Sequence, residues 1–186
     1  MKQKQWINYF AIFLILAAMS LRVARHYGII NLPPNFAPIA AIALFSATYL
    51  PKKQALIIPI ITMIIADLFI GFYNPAIMFF VYLSFILTSV LGLYIKQNKS
   101  LANIIGGSLI ASILFYLITN SAVWSFSGLY PQTIQGLYQC YIMAIPFFRN
   151  TLLGDLFYVT LIFGSYELVV YLVKNKKLKL VNLNIR

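Results

Sequence analysis

Residues 101–123, LANIIGGSLIASILFYLITNSAV, run for 23 positions without a charged side chain. A helix needs about 20 mainly apolar residues to cross the hydrocarbon core of a bilayer, so this stretch has the length and composition of a membrane span. The rest of the chain repeats that composition. Hydrophobic residues fill 62% of the 186 positions and charged residues 9%, a balance that a soluble domain of this size could not hide in one core. Lipid is the solvent the composition calls for. Five further candidate spans lie at 6–21, 36–50, 54–72, 76–95 and 150–173. The fold expected is an all-α integral membrane bundle of six transmembrane helices, with 1–186 as one membrane domain.

Punctuation supports these divisions. Pro38 reads as a helix start rather than a break. Pro51 and Asn74-Pro75 separate spans, whereas Pro59, inside the third, predicts a mild kink. Residues 125–148 read differently. They hold Tyr130-Pro131, Gly136, Gln132, Gln135, Gln139 and Pro146 among aromatics, which predicts a structured outer loop with a short amphipathic helix at the interface. Lys2 and Lys4 before an apolar run resemble a signal peptide, yet the next segments are again membrane-like and no small-x-small cleavage site intervenes, so a retained first helix is expected.

The net charge of +11 points to topology rather than to nucleic acid, because the basic residues are scattered between apolar runs and form no phosphate-tracking stripe. Cytoplasmic loops accumulate Lys and Arg. With the amino terminus inside, Lys2, Lys4, Lys52, Lys53, Lys96, Lys99, Lys174, Lys176, Lys177, Lys179 and Arg186 all fall inside, and only Arg22, Arg25 and Arg149 fall outside. Both termini are therefore expected in the cytoplasm. The single cysteine, Cys140, cannot close an intrachain disulfide, and the lone His26 has no neighbouring His or Cys, so neither a metal site nor a cofactor is expected.

The three acidic residues then stand out. Asp67 lies about one turn before the outer end of its span, and Asp155 about one turn inside the outer end of the last. A carboxylate within a span costs about 2.5 to 3.5 kcal/mol on insertion scales and normally faces a cavity or a partner. Asn35, Asn120, Trp124, Arg149 and Asn150 gather at the same level, with Thr151 four residues from Asp155 on one helix face. Arg149 is placed to pair with Asp67. Two readings fit: a network of ions that locks helices together, or a ligand pocket with polar anchors and aromatic walls from Trp124, Tyr73 and Tyr130. The outer arginines favour an anionic ligand and the aromatics a planar ring. Tyr138 and Tyr141 fit an interfacial belt. Glu167 is deeper, in reach of Lys174 or Lys177, and reads as structural. Ala40, Ala43 and Ala47, with Ala37, form a small-residue stripe that permits close helix approach, either within the protein or onto a partner.

Several segments carry a resemblance: PNFAPIAAIALF at 34–45, IADL at 65–68, TNSAVW at 119–124, GLYP at 128–131 and IPFFRNTLLGD at 145–155. They resemble marker segments of a family of uncharacterised bacterial six-helix membrane proteins, which is in turn similar to the substrate-binding S components of energy-coupling factor transporters. That resemblance implies a bacterial inner-membrane protein, not an enzyme, that captures a vitamin or related micronutrient from outside and docks on a membrane coupling subunit driven by two ATPase subunits. In S components an AxxxA motif on the first helix mediates docking. Here the spacing falls on the second apolar segment. Gly106-Gly107 lacks the following Lys of a phosphate loop, so ATP hydrolysis would belong to the partners.

Two other classes remain. A non-transport scaffold would use the polar cluster only to hold helices. An intramembrane aspartyl protease would use Asp67 and Asp155 as a proton-sharing dyad. Gly154-Asp155 echoes the GxGD signature of that class, but Leu152 occupies the first glycine position and Ala66 stands where Tyr is expected.

Overall fold

The computed structural model describes residues 2–183, with side chains from 9 to 174. Arg186 of the orientation count lies outside the described residues, and the side chains of Lys2, Lys4, Lys176, Lys177 and Lys179 lie outside the described side chains. Helices α1 (Lys2–His26), α2 (Ile39–Tyr49), α3 (Lys52–Ile70), α4 (Pro75–Ile95), α5 (Leu101–Phe126) and α6 (Ile134–Leu183) make up the fold, with a 3-10 turn at Lys96–Asn98. Five of them, all but α2, are long and apolar enough to cross a membrane. The chain is a multi-pass helical membrane protein.

Contacts run α1 to α3, α3 to α4, α4 to α5 and α5 to α6, and α2 touches all five. An arc of long helices thus surrounds one short central helix. Its 11 residues rise about 16 Å, roughly half the ~30 Å apolar layer, so α2 does not span. This corrects the expected span at 36–50. An apolar run of that length has the same composition whether lipid or protein surrounds it, and here every residue from Ile39 to Thr48 is buried by protein. The helix cannot extend upstream. Each proline of Pro33, Pro34 and Pro38 lacks a backbone N–H, and each disfavours helical geometry in the residue before it. Asn35 sits at φ 64, a left-handed value that asparagine tolerates better than most residues. Residues 27–35 therefore run as largely exposed irregular backbone and 36–38 carry the chain in to the buried Ile39, an arrangement membrane proteins allow where such backbone is shielded by protein or lines a cavity.

The expected outer loop at 125–148 is also corrected. α5 continues to Phe126, residues 127–133 turn, and α6 begins at Ile134 and runs through Pro146. The first turns of α6 pack against α5, with Tyr116 donating to the Tyr141 carbonyl (2.7 Å) and Cys140 to the Asn120 carbonyl (3.4 Å). Glutamines and prolines read as loop signals, but a helix in a membrane tolerates proline when neighbours satisfy its backbone.

α3 shows how. Pro59 has no N–H for the Ala55 carbonyl four residues back. The Ser89 hydroxyl on α4 lies 3.1 Å from that carbonyl, sharing its proton with the Phe85 carbonyl, and the Ser46 hydroxyl on α2 reaches it at 3.5 Å while also 3.2 Å from the Ala43 carbonyl. The helix stays continuous, and the freed acceptor ties three helices together.

Ala40, Ala43 and Ala47 are buried inside the bundle. A Cβ added at Gly92 would stand 2.6 Å from the Ala47 Cβ and 2.8 Å from the Leu44 carbonyl, so Ala47 lies at the seam between α2 and α4, while Ala40 borders the inner side of the bundle. The expectation that the stripe forms a docking surface is corrected: no room remains there for a partner.

The two ends of the bundle differ in chemistry. At one, Lys96 donates to the Leu50 carbonyl (2.7 Å) and Lys99 pairs with Glu167 (2.6 Å), while Tyr49 also donates to Glu167. Lys99 is thus a direct partner of Glu167 among the described side chains, and the side chain of Lys177 lies outside them. At the other, Tyr27 donates to the Phe69 carbonyl (2.8 Å) and Asn74 to that of Phe126 (2.9 Å). This end carries the turns 27–38, 71–74 and 127–133 and no lysine.

Candidate functional site

The lysine-free end holds two adjoining cavities. The outer, about 370 Å³, is lined by Arg22, Arg25 and His26 of α1 and by residues 35–38. The inner, about 230 Å³, lies between Arg22, Asn35, Tyr73, Thr151 and Asp155, with Met63, Phe85 and Phe115 as apolar walls. Arg22, Asn35 and Ala37 border both. Irregular backbone at 32–38 creates this division, because a helix there would fill the space.

Arg22 is held by its neighbours. Its Nη2 lies 2.7 Å from Asp67 Oδ1, and its Nη1 rests against Met63 Sδ. Tyr82 donates to the other carboxylate oxygen, Asp67 Oδ2, at 2.6 Å. Asp67 is fully buried, and both its oxygens have a strong donor. Two oppositely charged groups with an added hydroxyl are the arrangement that makes a buried ion pair tolerable. The expected partner, Arg149, is exposed. The correction has a steric origin: α1 packs alongside α3 and brings Arg22 to Asp67, whereas Arg149 projects from α6, which packs chiefly on α5 and α2.

Asp155 is equally hidden, at 3% exposure, but has different company. Ser112 of α5 lies 2.7 Å from its Oδ2. That hydroxyl also lies 3.1 Å from the Ser108 carbonyl, and one proton serves both acceptors. Among the described residues no donor reaches Asp155 Oδ1, and no cation pairs with it. Next to it, Gly154 accommodates the chain: its hypothetical Cβ would be 3.1 Å from Phe36 Cα. A larger residue would require the Phe36 backbone to give way by a few tenths of an ångström. Phe36 in turn packs on Phe157 and Tyr158, with ring centroids 5.8 and 5.3 Å away.

Tyr73, in the turn between α3 and α4, also faces the inner cavity. Its phenol is pushed up to about 12, first by burial and then by the Asp67 charge, against an opposing effect of Arg22. It therefore offers a neutral hydroxyl. Phe85 and Phe115 form a single aromatic wall, with centroids 5.4 Å apart and planes at 37°.

The structure brings Asn35 and Asp155 to the inner cavity and sets Asp67 behind Arg22. Tyr73 and Thr151, expected at the same level, line that cavity too, whereas Asn120, Trp124, Tyr130, Arg149 and Asn150 do not. Asn120 donates to the Tyr116 carbonyl in its own helix (2.7 Å), and Trp124 Nε1 to the Pro131 carbonyl (2.9 Å), which fastens the turn after α5. Arg149 and Asn150 stand on α6 away from the cavity lining. Among the lining residues that sequence reasoning left out of the site are Arg22, Met63, Phe85 and Phe115. Arg22 had a signal, as a cation adjoining a span and opposite a buried acid. The other three look like ordinary apolar residues. Among the described residues Asp67 and Asp155 share no hydrogen bond: Arg22 and Tyr82 hold the first and Ser112 the second.

Over residues 2–179 the chain matches a family of unknown function, DUF6580, and it belongs to that family. No curated protein and no solved structure matches it.

Proposed function

We propose that this DUF6580 protein is a substrate-capturing membrane subunit of the energy-coupling factor type, which takes a vitamin or related micronutrient into the inner cavity and works with a membrane coupling subunit and two ATPase subunits. One observation carries this reading: a buried carboxyl, Asp155, has an oxygen without a protein donor at the wall of a chamber bordered by aromatic rings. A purely structural carboxyl is normally surrounded by donors, as Asp67 is. The vestibule beyond Arg22 supplies a route from the lysine-free end. The positive-inside rule supports placing that end outside a bacterial cytoplasmic membrane and both termini inside. Because the alanine stripe is buried, docking on a coupling subunit would use another face.

The test is to purify the full chain in mild detergent and identify co-purifying small molecules by mass spectrometry. The capture reading expects one molecule in the wild type and its loss in Asp155→Asn, with folding intact. Pull-down of coupling and ATPase subunits tests the transport half. A scaffold, favoured by the completeness of the Arg22–Asp67–Tyr82 cluster, expects no molecule in either protein. That result, with no ligand found by direct binding, would overturn the proposal.

A further inference from the structure

The charges bordering the inner cavity are Arg22 and Asp155, with Asp67 directly behind Arg22. Asp67 neutralises Arg22 at 2.7 Å, and Tyr82 occupies the remaining Asp67 oxygen. Asp155 has only a shared hydroxyl proton from Ser112. An ionised Asp155 therefore leaves the chamber one negative charge in excess. A buried charge of this kind calls for a counter-charge and further hydrogen bonds. Phe85, Phe115 and Tyr73 also line this cavity, and aromatic faces suit a cation because they present negative quadrupole density. Arg25, the other cation nearby, borders the outer cavity only, where it is exposed and water screens it.

We infer that the ligand of the inner cavity carries a cationic nitrogen, a protonated amine or a charged nitrogen heterocycle, that binds Asp155 Oδ1 and stacks on the Phe85 and Phe115 wall. This rests on the proposed capture function and names its substrate class. It reverses the expectation from the arginines of the sequence, since the arginine at this chamber is already paired. Size narrows the class. An engineered cavity of about 150 Å³ holds benzene, and drug-sized pockets start at about 300 Å³. The inner chamber, about 230 Å³, falls between, which fits one ring with a short nitrogen-bearing substituent.

The experiment uses the purified full chain, stripped of bound small molecules, and a small-molecule yeast extract split by ion exchange into cationic, neutral and anionic fractions. The unfolding midpoint is measured with each fraction, and the bound species is then identified by mass spectrometry. The cationic fraction is expected to raise the midpoint. Its active component should bind Asp155→Asn about ten- to a hundredfold more weakly, the usual effect of losing a hydrogen bond between charged partners. Asp155→Glu, which keeps the charge, should retain part of the shift and guards against a folding defect in the first variant. Stabilisation by the anionic or neutral fraction alone, or a cationic effect undiminished in Asp155→Asn, overturns the cation while leaving capture standing. If no fraction shifts the midpoint and nothing co-purifies, both fall.

Discussion

Asp67 and Asp155 look alike in the sequence: each is an acid within a span, about one turn from the same end. In the folded chain they are buried to the same degree, 0% and 3% exposed, yet their surroundings are opposite. Asp67 sits where α1, α3 and α4 meet, and each oxygen has its own donor from a different helix. Asp155 sits where α5 and α6 meet beside irregular backbone, and a single hydroxyl is divided between it and a carbonyl. Burial alone therefore does not mark a functional carboxyl. The number of donors around it, and whether an unpaired oxygen meets a cavity, separates a residue that fastens helices from one available to a ligand.

The sharpest way to break this comparison is to remove Arg22. Arg22→Ala leaves Asp67 buried with an uncompensated charge, and is expected to cost about 3 to 5 kcal/mol, read as a large fall in the unfolding midpoint in detergent. The double variant Arg22→Met with Asp67→Leu removes both charges and should recover most of that loss. If the single variant is as stable as the wild type, Asp67 is not structural and the two acids are not opposites. Tyr82→Phe tests the second donor alone. Loss of a hydrogen bond to a charged acceptor should cost about 1.5 to 3 kcal/mol, checked by the same melt.

Asp155→Asn should behave in the other direction. With no ligand present, removing a charge that has no counter-ion is expected to leave the midpoint unchanged or to raise it. A fall comparable to that of Arg22→Ala would show that Asp155 is a structural acid as well, and would remove the main support for a binding chamber.

Much of the architecture was legible in the sequence because its signals are additive over long windows. Five long apolar helices follow from composition, and the segregation of lysines to one end follows from counting. The rest depended on what each segment touches. Residues 39–49 read as a short span since nothing in IAAIALFSATY says whether the surrounding apolar medium is lipid or protein. Residues 134–148 read as a loop since Gly136 and Pro146 are breakers in water, while a packed partner such as α5 overrides that tendency. Within the site, Asp155 was visible as a rare acid, but its lack of a cation among the described residues and its single donor, Ser112, depend on helix rotation and register. Met63, Phe85 and Phe115 carry no signal that separates a cavity wall from a lipid-facing surface.

The lysine-rich end supplies the last and smallest contrast. Glu167 also has two donors, Lys99 at 2.6 Å and the Tyr49 hydroxyl, so by donor count it resembles Asp67. It differs in exposure: the side chains of Lys99 and Glu167 are 40% and 48% exposed, against 23% and 1% for Arg22 and Asp67. Exposed pairs are screened and contribute about 0 to 1 kcal/mol. Lys99→Met should therefore shift the midpoint by less than the smallest effect at Asp67, and added salt should shrink the difference further because the Debye length falls below about 10 Å. A shift as large as that of Arg22→Ala, insensitive to salt, would mean that donor count rather than burial governs these clusters. The distinction matters for Asp155, whose burial makes its missing counter-charge costly and a cationic ligand correspondingly favourable.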